Sequence, residues 1–379
     1  MKHIKIFSFF AGAGFLDLGF EKAGGFDVVY VNEFSPVFNR IYRYARAKMG
    51  MREPRLGHHV CSIESLATPE FSVIVDKEKK HSLVGFVGGP PCPDFSVAGK
   101  NRGREGENGR LSQTYVDLIC GNRPDFFLFE NVKGLYRTRK HREFFDELRR
   151  QLADSGYVLT CRLVNAYEYG VAQDRDRVIL FGIRSGLADE LHKQVRDGEL
   201  LDFPWESYRR FPRESVEACR WPGCDEFRPG LATDAPGNII RCLTVQYWWD
   251  RNDVASHPNQ RMFFRPRSAL PRFRSIGEGD VSQLSFKRLH RWRYSPTAAY
   301  GNNEVHLHPY QPRRISVAEA LAIQSLPREF EIPPDVPLTA AFKTVGNGVP
   351  YLLSLSLAKT IKKYLSDAAP TRRLGKNPH

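Results

Sequence analysis

Cys92 stands in the most specific chemical setting of this sequence, Gly88-Gly89-Pro90-Pro91-Cys92-Pro93-Asp94-Phe95-Ser96. Prolines on both sides make a rigid loop, and such a loop presents a cysteine at a surface rather than packing it inside. A thiolate is a strong nucleophile where a base or a positive charge lowers its pKa. A lone cysteine is more often an inert buried thiol, but this setting favours a nucleophile.

Glu130 closes the apolar run Phe126-Phe127-Leu128-Phe129. A glutamate beside hydrophobic residues has a raised pKa and can hold a proton near neutral pH, so we predict a general acid here. Farther along, the alternation in Gln173-Asp174-Arg175-Asp176-Arg177 predicts that Gln173, Arg175 and Arg177 point the same way. Two arginines on one face suit a phosphate or a base carbonyl, although a salt-bridged strand edge is the alternative.

Gly12-Ala13-Gly14 lies between a predicted strand and a predicted helix, where backbone can approach a nucleotide-like ligand closely. The dinucleotide fingerprint is incomplete, because Asp17 occupies its third glycine position. Glu33 ends the next strand and is placed to accept hydrogen bonds from ribose hydroxyls. Together these residues indicate an adenosine ligand without a pyrophosphate, which S-adenosylmethionine fits better than a nicotinamide dinucleotide does.

These residues follow predicted strands that alternate with helices. The strands are predicted at Ile4–Phe10, Val28–Val31, Leu83–Val87 and Phe126–Phe129, and the helices at Phe15–Ala23, Ser35–Met49, Leu111–Cys120 and Val349–Leu365. Such alternation predicts an α/β fold, a mostly parallel sheet with helices on both faces. Ligands of such sheets bind beyond the carboxyl ends of the strands, so we expect Gly12, Glu33, Cys92 and Glu130 to converge on one crevice.

The periodicity weakens after Arg184, which predicts a second, irregular domain. Within it, the segment Arg261–Arg293 holds nine Lys or Arg residues against two acids, Glu278 and Asp280. Basic residues mixed with aromatic ones suit phosphate contact and base stacking, although a solvated surface over a small aromatic core is the alternative. Helical periodicity returns from Ile315 to Leu326, and the tail 371–379 is basic.

The composition agrees with a partner that is a polyanion, because 56 Lys and Arg against 43 Asp and Glu give a net charge of +13. Seven cysteines in irregular positions argue against a disulfide framework and for a reducing compartment. Cys219 and Cys224 form the one close pair, without a second pair at zinc-ligand spacing, so we predict no metal site. No signal peptide or membrane span is expected.

The chain resembles the DNA (cytosine-5) methyltransferase family, bacterial type, over nearly its full length. The matching segments occur in the family's order. They are Phe9 to Gly14, Asn32-Glu33, Pro90-Pro91-Cys92, Glu130-Asn131-Val132, Gln173 to Arg177, Arg313 to Pro327 and Val345 to Pro350. The resemblance implies a Rossmann-like fold that binds S-adenosylmethionine, releases S-adenosylhomocysteine and carries a smaller target recognition domain.

The resemblance also implies roles for individual residues. Cys92 would add to C6 of cytosine, Glu130 would hydrogen-bond or protonate N3, and Arg175, with Arg177, would hold the base carbonyl or a phosphate. The cofactor site would consist of Phe10, Ala11, Gly12, Gly14, Glu33, Phe34, Ser62, Ile63, Pro91, Leu111 and Asn347. Contacts to flipped-out, double-stranded DNA would come from Ser96, Gln173, Arg265, Arg267, Arg291 and Arg293.

Three positions depart from the family pattern. Ser8 replaces the usual Asp, Phe15 the usual Gly, and Pro93 the usual Gln after the catalytic cysteine. Proline lacks a backbone donor, which puts in doubt how the catalytic loop packs and closes. The departures keep a catalytically inert DNA-binding homologue open as an alternative to an active enzyme.

The expected domains are a catalytic and cofactor-binding domain over 1–183, a target recognition domain over 184–310, a return segment over 311–370 and the basic tail. A recognition region of this length favours DNA over a transfer RNA substrate, the second alternative. We expect a cytoplasmic monomer, without a membrane partner, that serves restriction–modification or phage defence beside partner restriction or defence proteins.

Overall fold

The computed structural model describes residues 3–91, 107–266, 269–283, 285–298, 300 and 305–366. Nine strands form one sheet. They are β1 (Ile4–Phe9), β2 (Phe26–Asn32), β3 (His58–His59), β4 (Val84–Gly88), β5 (Phe126–Val132), β6 (Tyr157–Asn165), β7 (Asp176–Arg184), β8 (Val195–Arg196) and β9 (Glu199–Leu200).

The order of the strands in the sheet is β3-β2-β1-β4-β5-β7-β6-β9-β8. The five strands from β3 to β5 run parallel, whereas β7 is antiparallel to both of its neighbours. The predicted mixed, mostly parallel sheet is therefore confirmed. Because β1, β2, β4 and β5 point the same way, their carboxyl ends share one edge of the sheet, where ligands of such folds bind.

Helices cover both faces of the sheet. They are α1 (Phe15–Ala23), α2 (Pro36–Lys48), α3 (Pro69–Lys79), α4 (Glu107–Asn122), α5 (Lys133–Arg137), α6 (Arg139–Asp154), α7 (Ser185–Glu190), α8 (Arg213–Glu217), α9 (Val245–Arg251), α10 (Leu270–Ser275), α11 (Val317–Ile323), α12 (Leu338–Asn347) and α13 (Tyr351–Ser366). One apolar core takes residues from α1, α7 and α13, and the core on the opposite face takes them from α3, α4 and α6.

The observed bounds stay close to the predicted ones. The helix predicted at Ser35–Met49 is α2, where Ser35 is the N-cap and its side chain accepts from the Phe38 N–H. The strand predicted to end at Phe129 continues to Val132, so Glu130 lies within β5 and is paired with Ile179 of β7. The last helix begins at Tyr351, after Pro350, rather than at Val349.

The chain after β7 is irregular, as the weak periodicity predicts. Strands β8 and β9 still extend the catalytic sheet, so this sheet continues past residue 183 to Leu200. Beyond them, short helices pack with the return helices α11 and α12 around a third apolar core. Its largest member is Trp249, whose indole donates to the Glu319 carbonyl at 3.1 Å.

Buried arginines hold the irregular region together. Arg291 makes a bidentate ion pair with Glu278, with nitrogen–oxygen distances of 2.8 and 2.7 Å, and both side chains are nearly inaccessible to solvent. The Arg288 guanidinium is buried and donates only to main-chain carbonyls, including those of Ile276 and His308. Charged hydrogen bonds therefore join loops that no strand ladder connects.

None of the helices in the described ranges is both long and apolar enough to cross a membrane. Within those same ranges, no three His, Cys, Asp or Glu residues are grouped so that they could hold a metal ion.

Candidate active site

The first glycine loop follows β1 and is fixed by backbone bonds. The Ala11 N–H donates to the Asn32 carbonyl at 3.1 Å, and the Gly14 N–H closes the turn onto the Ala11 carbonyl at 2.7 Å. Phe10 has a φ of 52°, which is strained for a bulky side chain. Such strain concentrates at ligand sites, where it is held by the surrounding structure. Apart from the chain neighbours of Gly12, no atom of the described residues lies within 4 Å of the position that a Cβ on Gly12 would take, so this backbone is open to a ligand.

Glu33 joins the glycine loop to β2. One carboxylate oxygen accepts from the Gly12 N–H and the other from the Ser35 N–H, both at 2.8 Å. Burial raises the pKa of Glu33, and the two backbone donors oppose that shift. The predicted proximity of Gly12 and Glu33 is thus observed, at the edge of the sheet where an adenosine would bind.

The remaining cofactor candidates differ in accessibility. Phe34 is 73% exposed, and Asn347 is exposed at the end of α12. Ser62 caps the 3-10 turn Ile63–Leu66 while Ile63 itself is buried. Pro91 and Leu111 are half-buried. An exposed ring beside an open glycine backbone and a carboxylate suits an adenosine, so the residues present fit S-adenosylmethionine.

Glu130 forms an ion pair with Arg177, one of the two arginines that the sequence predicts at the site. Its Oε1 accepts from Nε of Arg177 at 2.7 Å, and each side chain is only 10% exposed. A Cβ on Gly89 would lie 2.7 Å from Glu130 Oε2, so the backbone that leads to the catalytic loop passes directly over this carboxylate. Asn131 Nδ2 donates to the Pro90 carbonyl at 3.4 Å and anchors the same backbone. Cys92 lies outside the described residues.

Arg175 does not share this site. Its guanidinium is fully buried and donates to the carbonyls of Ala298, Gly346 and Gly348 at 3.2, 2.7 and 3.2 Å. Burial, with Arg177 nearby, holds the pKa of Arg175 well below its usual value. Gln173, Arg175 and Arg177 are all buried, whereas Asp174 is exposed and Asp176 is half-buried, so the predicted alternation is observed even though strand β7 begins only at Asp176. These contacts tie chain segments together, so Arg177 and not Arg175 is the arginine at Glu130.

Gln173 is likewise interior. It is fully buried, donates to Gln324 at 3.3 Å and accepts from the Ala298 N–H at 3.1 Å, which leaves it no face for DNA. The Arg291 guanidinium is committed to Glu278, as described above, so the expected DNA contact there becomes a structural one. Arg293 is half-buried and Arg265 is exposed. Ser96 and Arg267 lie outside the described residues.

Two of the departures from the family pattern are described. Ser8 is buried and donates to Asp17 at 2.7 Å, and burial raises the pKa of Asp17. Phe15 is buried and packs edge-on against Phe330, with ring centroids 5.1 Å apart. Neither side chain enters the open space at Gly12. The third departure, Pro93, lies outside the described residues.

The side chains of α2 that support Gly14 were not predicted from the sequence. Arg46 donates to the Gly14 carbonyl at 3.0 Å and to Glu21 at 2.8 Å, and its guanidinium stacks on the Tyr42 ring. A Cβ on Gly14, where φ is 77°, would overlap Tyr42. The four-residue spacing of Tyr42 and Arg46 places them on one face of α2, and this was the only available signal.

A model of C-5 cytosine-specific DNA methylases matches residues 4–363. The chain belongs to the C-5 cytosine-specific DNA methylase family. The chain is 56% identical to the Type II methyltransferase M.NmeDI of Neisseria meningitidis serogroup C, over 97% of this chain and 85% of that protein. It is 30% identical to the Type II methyltransferase M.MthTI of Methanothermobacter thermautotrophicus, over 96% of this chain and 98% of that one.

Solved structures agree on the fold. The Dnmt2 methyltransferase of S. pombe superposes with a TM-score of 0.61 at 12% identity, and the alignment covers 95% of this chain and 99% of that one. The methyltransferase EhMeth of Entamoeba histolytica gives 0.57 at 13% identity, over 97% and 99%. The C-5 cytosine methylase described here thus has the Rossmann-like architecture of methyltransferases that use S-adenosylmethionine.

Proposed function

We propose that this DNA methylase transfers a methyl group from S-adenosylmethionine to C5 of cytosine within a specific duplex sequence, with Cys92 as the nucleophile. The observation that carries the assignment of roles is the buried pair of Glu130 and Arg177 beneath the backbone of Gly89. A carboxylate and a guanidinium side by side offer complementary partners to the N3 and O2 edge of a cytosine. The catalytic loop leaves β4 directly above them.

The proposed chemistry begins with a cytosine turned out of the duplex, since Cys92 cannot reach C6 within the stack. The Cys92 thiolate forms a bond to C6, and the displaced electron pair is taken up by the ring as Glu130 protonates N3 and Arg177 holds O2. S-adenosylmethionine, when bound, supplies the methyl group. The methyl group would pass to C5 as its bond to the cofactor sulfur breaks, and S-adenosylhomocysteine would leave. The C5 proton then passes to water, and the electron pair of that C–H bond re-forms the C5–C6 double bond as the C6–sulfur bond breaks, which regenerates the thiolate while Glu130 recovers its proton.

For the cofactor, we propose that Glu33 holds the ribose, that Phe34 covers the adenine and that Asn347 closes the pocket from the opposite side. The open backbone at Gly12, the exposed ring of Phe34 and the exposed Asn347 support this arrangement. Each Glu33 oxygen accepts from one backbone N–H and keeps a second lone pair, which a ribose hydroxyl can use while the Gly12 and Ser35 contacts remain.

We also propose a biological setting, the modification arm of a restriction–modification or phage-defence system. The names of the two Type II relatives support this proposal. A partner nuclease would then cut the same sequence when it is unmethylated. Mapping 5-methylcytosine in DNA from cells that express the chain would give that sequence directly.

The first test is methyl transfer from radiolabelled S-adenosylmethionine to unmethylated duplex DNA of mixed sequence, with transfer RNA and Cys92→Ala protein in parallel. We expect label in DNA only, and none with Cys92→Ala. Label in the transfer RNA alone would move the assignment to an RNA substrate. Bound DNA without label in any arm would indicate an inert binder.

A trap tests the covalent step separately. A duplex with 5-fluorocytosine at the mapped site cannot release fluoride as the unmodified base releases its C5 proton, so the bond between C6 and sulfur persists. We expect a protein–DNA adduct that survives denaturing electrophoresis, requires S-adenosylmethionine and is absent with Cys92→Ala. An adduct with Cys92→Ala would assign the nucleophile to another residue.

A further inference from the structure

Asn347 lies between two glycines whose missing side chains are replaced by neighbours. A Cβ on Gly346 would lie 2.8 Å from the Tyr300 backbone nitrogen, and a Cβ on Gly348 would overlap the ring of Phe15. Gly348 has a φ of −66° and a ψ of 147°, a backbone conformation open to any residue. Glycine is therefore required at 348 by the space that Phe15 occupies and not by the backbone.

Phe15 connects chain segments that are distant in sequence. It directly follows Gly14 of the first glycine loop, it is 2% exposed, and its ring contacts both Gly348 and Phe330. On the opposite side, Arg175 donates to the carbonyls of Gly346 and Gly348, and Gln324 donates to the Val345 carbonyl at 2.6 Å. The backbone on each side of Asn347 is thus held from two directions, and one of them is the first glycine loop.

We propose that Phe15 is a positioning residue for the cofactor pocket, and that its ring, seated in the space left by Gly348, sets the distance between Asn347 and the first glycine loop. The proposal rests on the cofactor site proposed above. The Phe15 ring is buried, so its effect on the proposed cofactor site would pass through Gly348. Phe15 and Gly348 then form one complementary pair, in which neither residue can change alone.

Because Phe15 and Gly348 are complementary, the effects of substituting both on cofactor affinity should be smaller than the two single effects combined. Affinity for S-adenosylmethionine would be measured by titration calorimetry on the wild type, Phe15→Ala, Gly348→Ala and the double variant. We expect each single change to weaken binding by about tenfold, within the range of coupling between residues in contact. In the double variant the new methyl group at position 348 enters the space that the Phe15 ring has left. The double variant should therefore bind S-adenosylmethionine more tightly than Gly348→Ala does.

Phe20 provides a matched control, since it lies on α1, is fully buried and packs against Phe26 with ring centroids 5.1 Å apart. Phe20→Ala should lower the melting temperature and leave the affinity for S-adenosylmethionine unchanged in protein that is still folded. With the Phe15 variants, KM for S-adenosylmethionine should rise while KM for DNA and kcat at saturating cofactor stay constant. Phe15→Leu serves if Phe15→Ala does not fold, and should show the same change in smaller measure.

The outcomes separate this proposal from the proposed cofactor site. If the wild-type protein does not bind S-adenosylmethionine, the proposed cofactor site itself is wrong. If the wild type binds but folded Phe15→Ala binds equally well, the positioning role is wrong. The role is also wrong if the two single losses simply multiply in the double variant, or if Phe20→Ala weakens cofactor binding as much as Phe15→Ala does.

Discussion

The catalytic sheet and the irregular region after it are stabilised in different ways. In the sheet, parallel strands bury apolar side chains on both faces and leave their polar residues at one edge. In the irregular region, buried arginines reach between loops, as in the pair of Arg291 with Glu278 and the hydrogen bonds from Arg288 to main-chain carbonyls. Burial of apolar area is non-directional and tolerant, whereas a buried ion pair depends on both partners. Substitutions should therefore affect the two regions in different ways.

The sharpest contrast should come from Glu130→Gln, which alters chemistry without removing volume from the sheet. Loss of a general acid typically lowers the rate by about 10²–10⁴-fold. We expect that loss in single-turnover methyl transfer by protein that still binds DNA. The melting temperature should also fall, because the amide oxygen can still accept from Arg177 Nε but no longer balances the charge of that buried guanidinium. Near-normal turnover by Glu130→Gln would remove Glu130 from the chemistry.

In the irregular region, Arg291→Met should act on stability first. It leaves the Glu278 carboxylate buried without its partner, and breaking such a pair costs about 3–5 kcal/mol. The free energy of unfolding from urea titration would measure this loss. The double change Glu278→Leu with Arg291→Met should recover part of it, since no charge is then left unpaired, although the Arg291 N–H still lacks its acceptor. A single variant as stable as wild type would contradict the view that buried pairs hold this region.

Acid should weaken the irregular region and the return segment more than the carboxylates beneath the first glycine loop. In the irregular region and the return segment, Arg313 and His308 hold the pKa of Glu319 down at about 2 against the opposing effect of burial. Burial lowers the pKa of His306 from 6.5 to about 3. Glu319 therefore contributes stability at pH values above its unfolded pKa near 4.5, and this stability is lost as the pH falls toward 2. His306 destabilises the folded state as the pH falls from 6.5 to 3, because the unfolded chain takes up the proton first. Beneath the first glycine loop, burial raises the pKa of Asp17 and of Glu21. Protonation at low pH therefore removes the free-energy cost of burying these two carboxylates in their charged form.

We therefore expect the irregular region to loosen first when pH is lowered from 7 toward 3. Tryptophan fluorescence reports on it, because all five tryptophans follow β7 in the chain, although Trp205 packs against the core of the sheet. Emission should shift to the red at a higher pH than the loss of far-ultraviolet ellipticity, which reports mainly on the sheet and its helices. Coincident transitions would show that the two regions unfold as one unit.

Much of the sheet region follows from the sequence because its signals are local. The apolar runs predict β1, β2, β4 and β5, and parallel strands place Gly12, Glu33 and Glu130 at one edge. The identity of the arginine at Glu130 could not be predicted, because Arg175 and Arg177 alternate in the same phase and differ in their tertiary contacts. The interior place of Gln173 was also beyond reach, since its partners Gln324 and Ala298 are over a hundred residues away in sequence.

In the irregular region, amino-acid composition does not reveal which arginines are structural and which are free to bind a ligand. The basic segment of this region predicted phosphate contact and base stacking, but charge alone cannot separate arginines that hold the fold from those that face a ligand. Arg291 and Arg265 have similar neighbours in sequence, yet one is buried with Glu278 and the other is exposed. Only the tertiary pairing of Glu278 distinguishes them.

The smallest expected effect tests that distinction. Arg265→Ala should weaken binding to all duplex sequences alike by a few-fold and lower the slope of log affinity against log salt by roughly one, as for a single phosphate contact. It should leave the free energy of unfolding unchanged, because Arg265 is exposed. Arg291→Met, compared in the same titrations below its unfolding transition, should change stability without that change in slope. An unchanged slope for Arg265→Ala would place the DNA path elsewhere on the irregular region, and the exposed arginines of α10, Arg272 and Arg274, would be tested next.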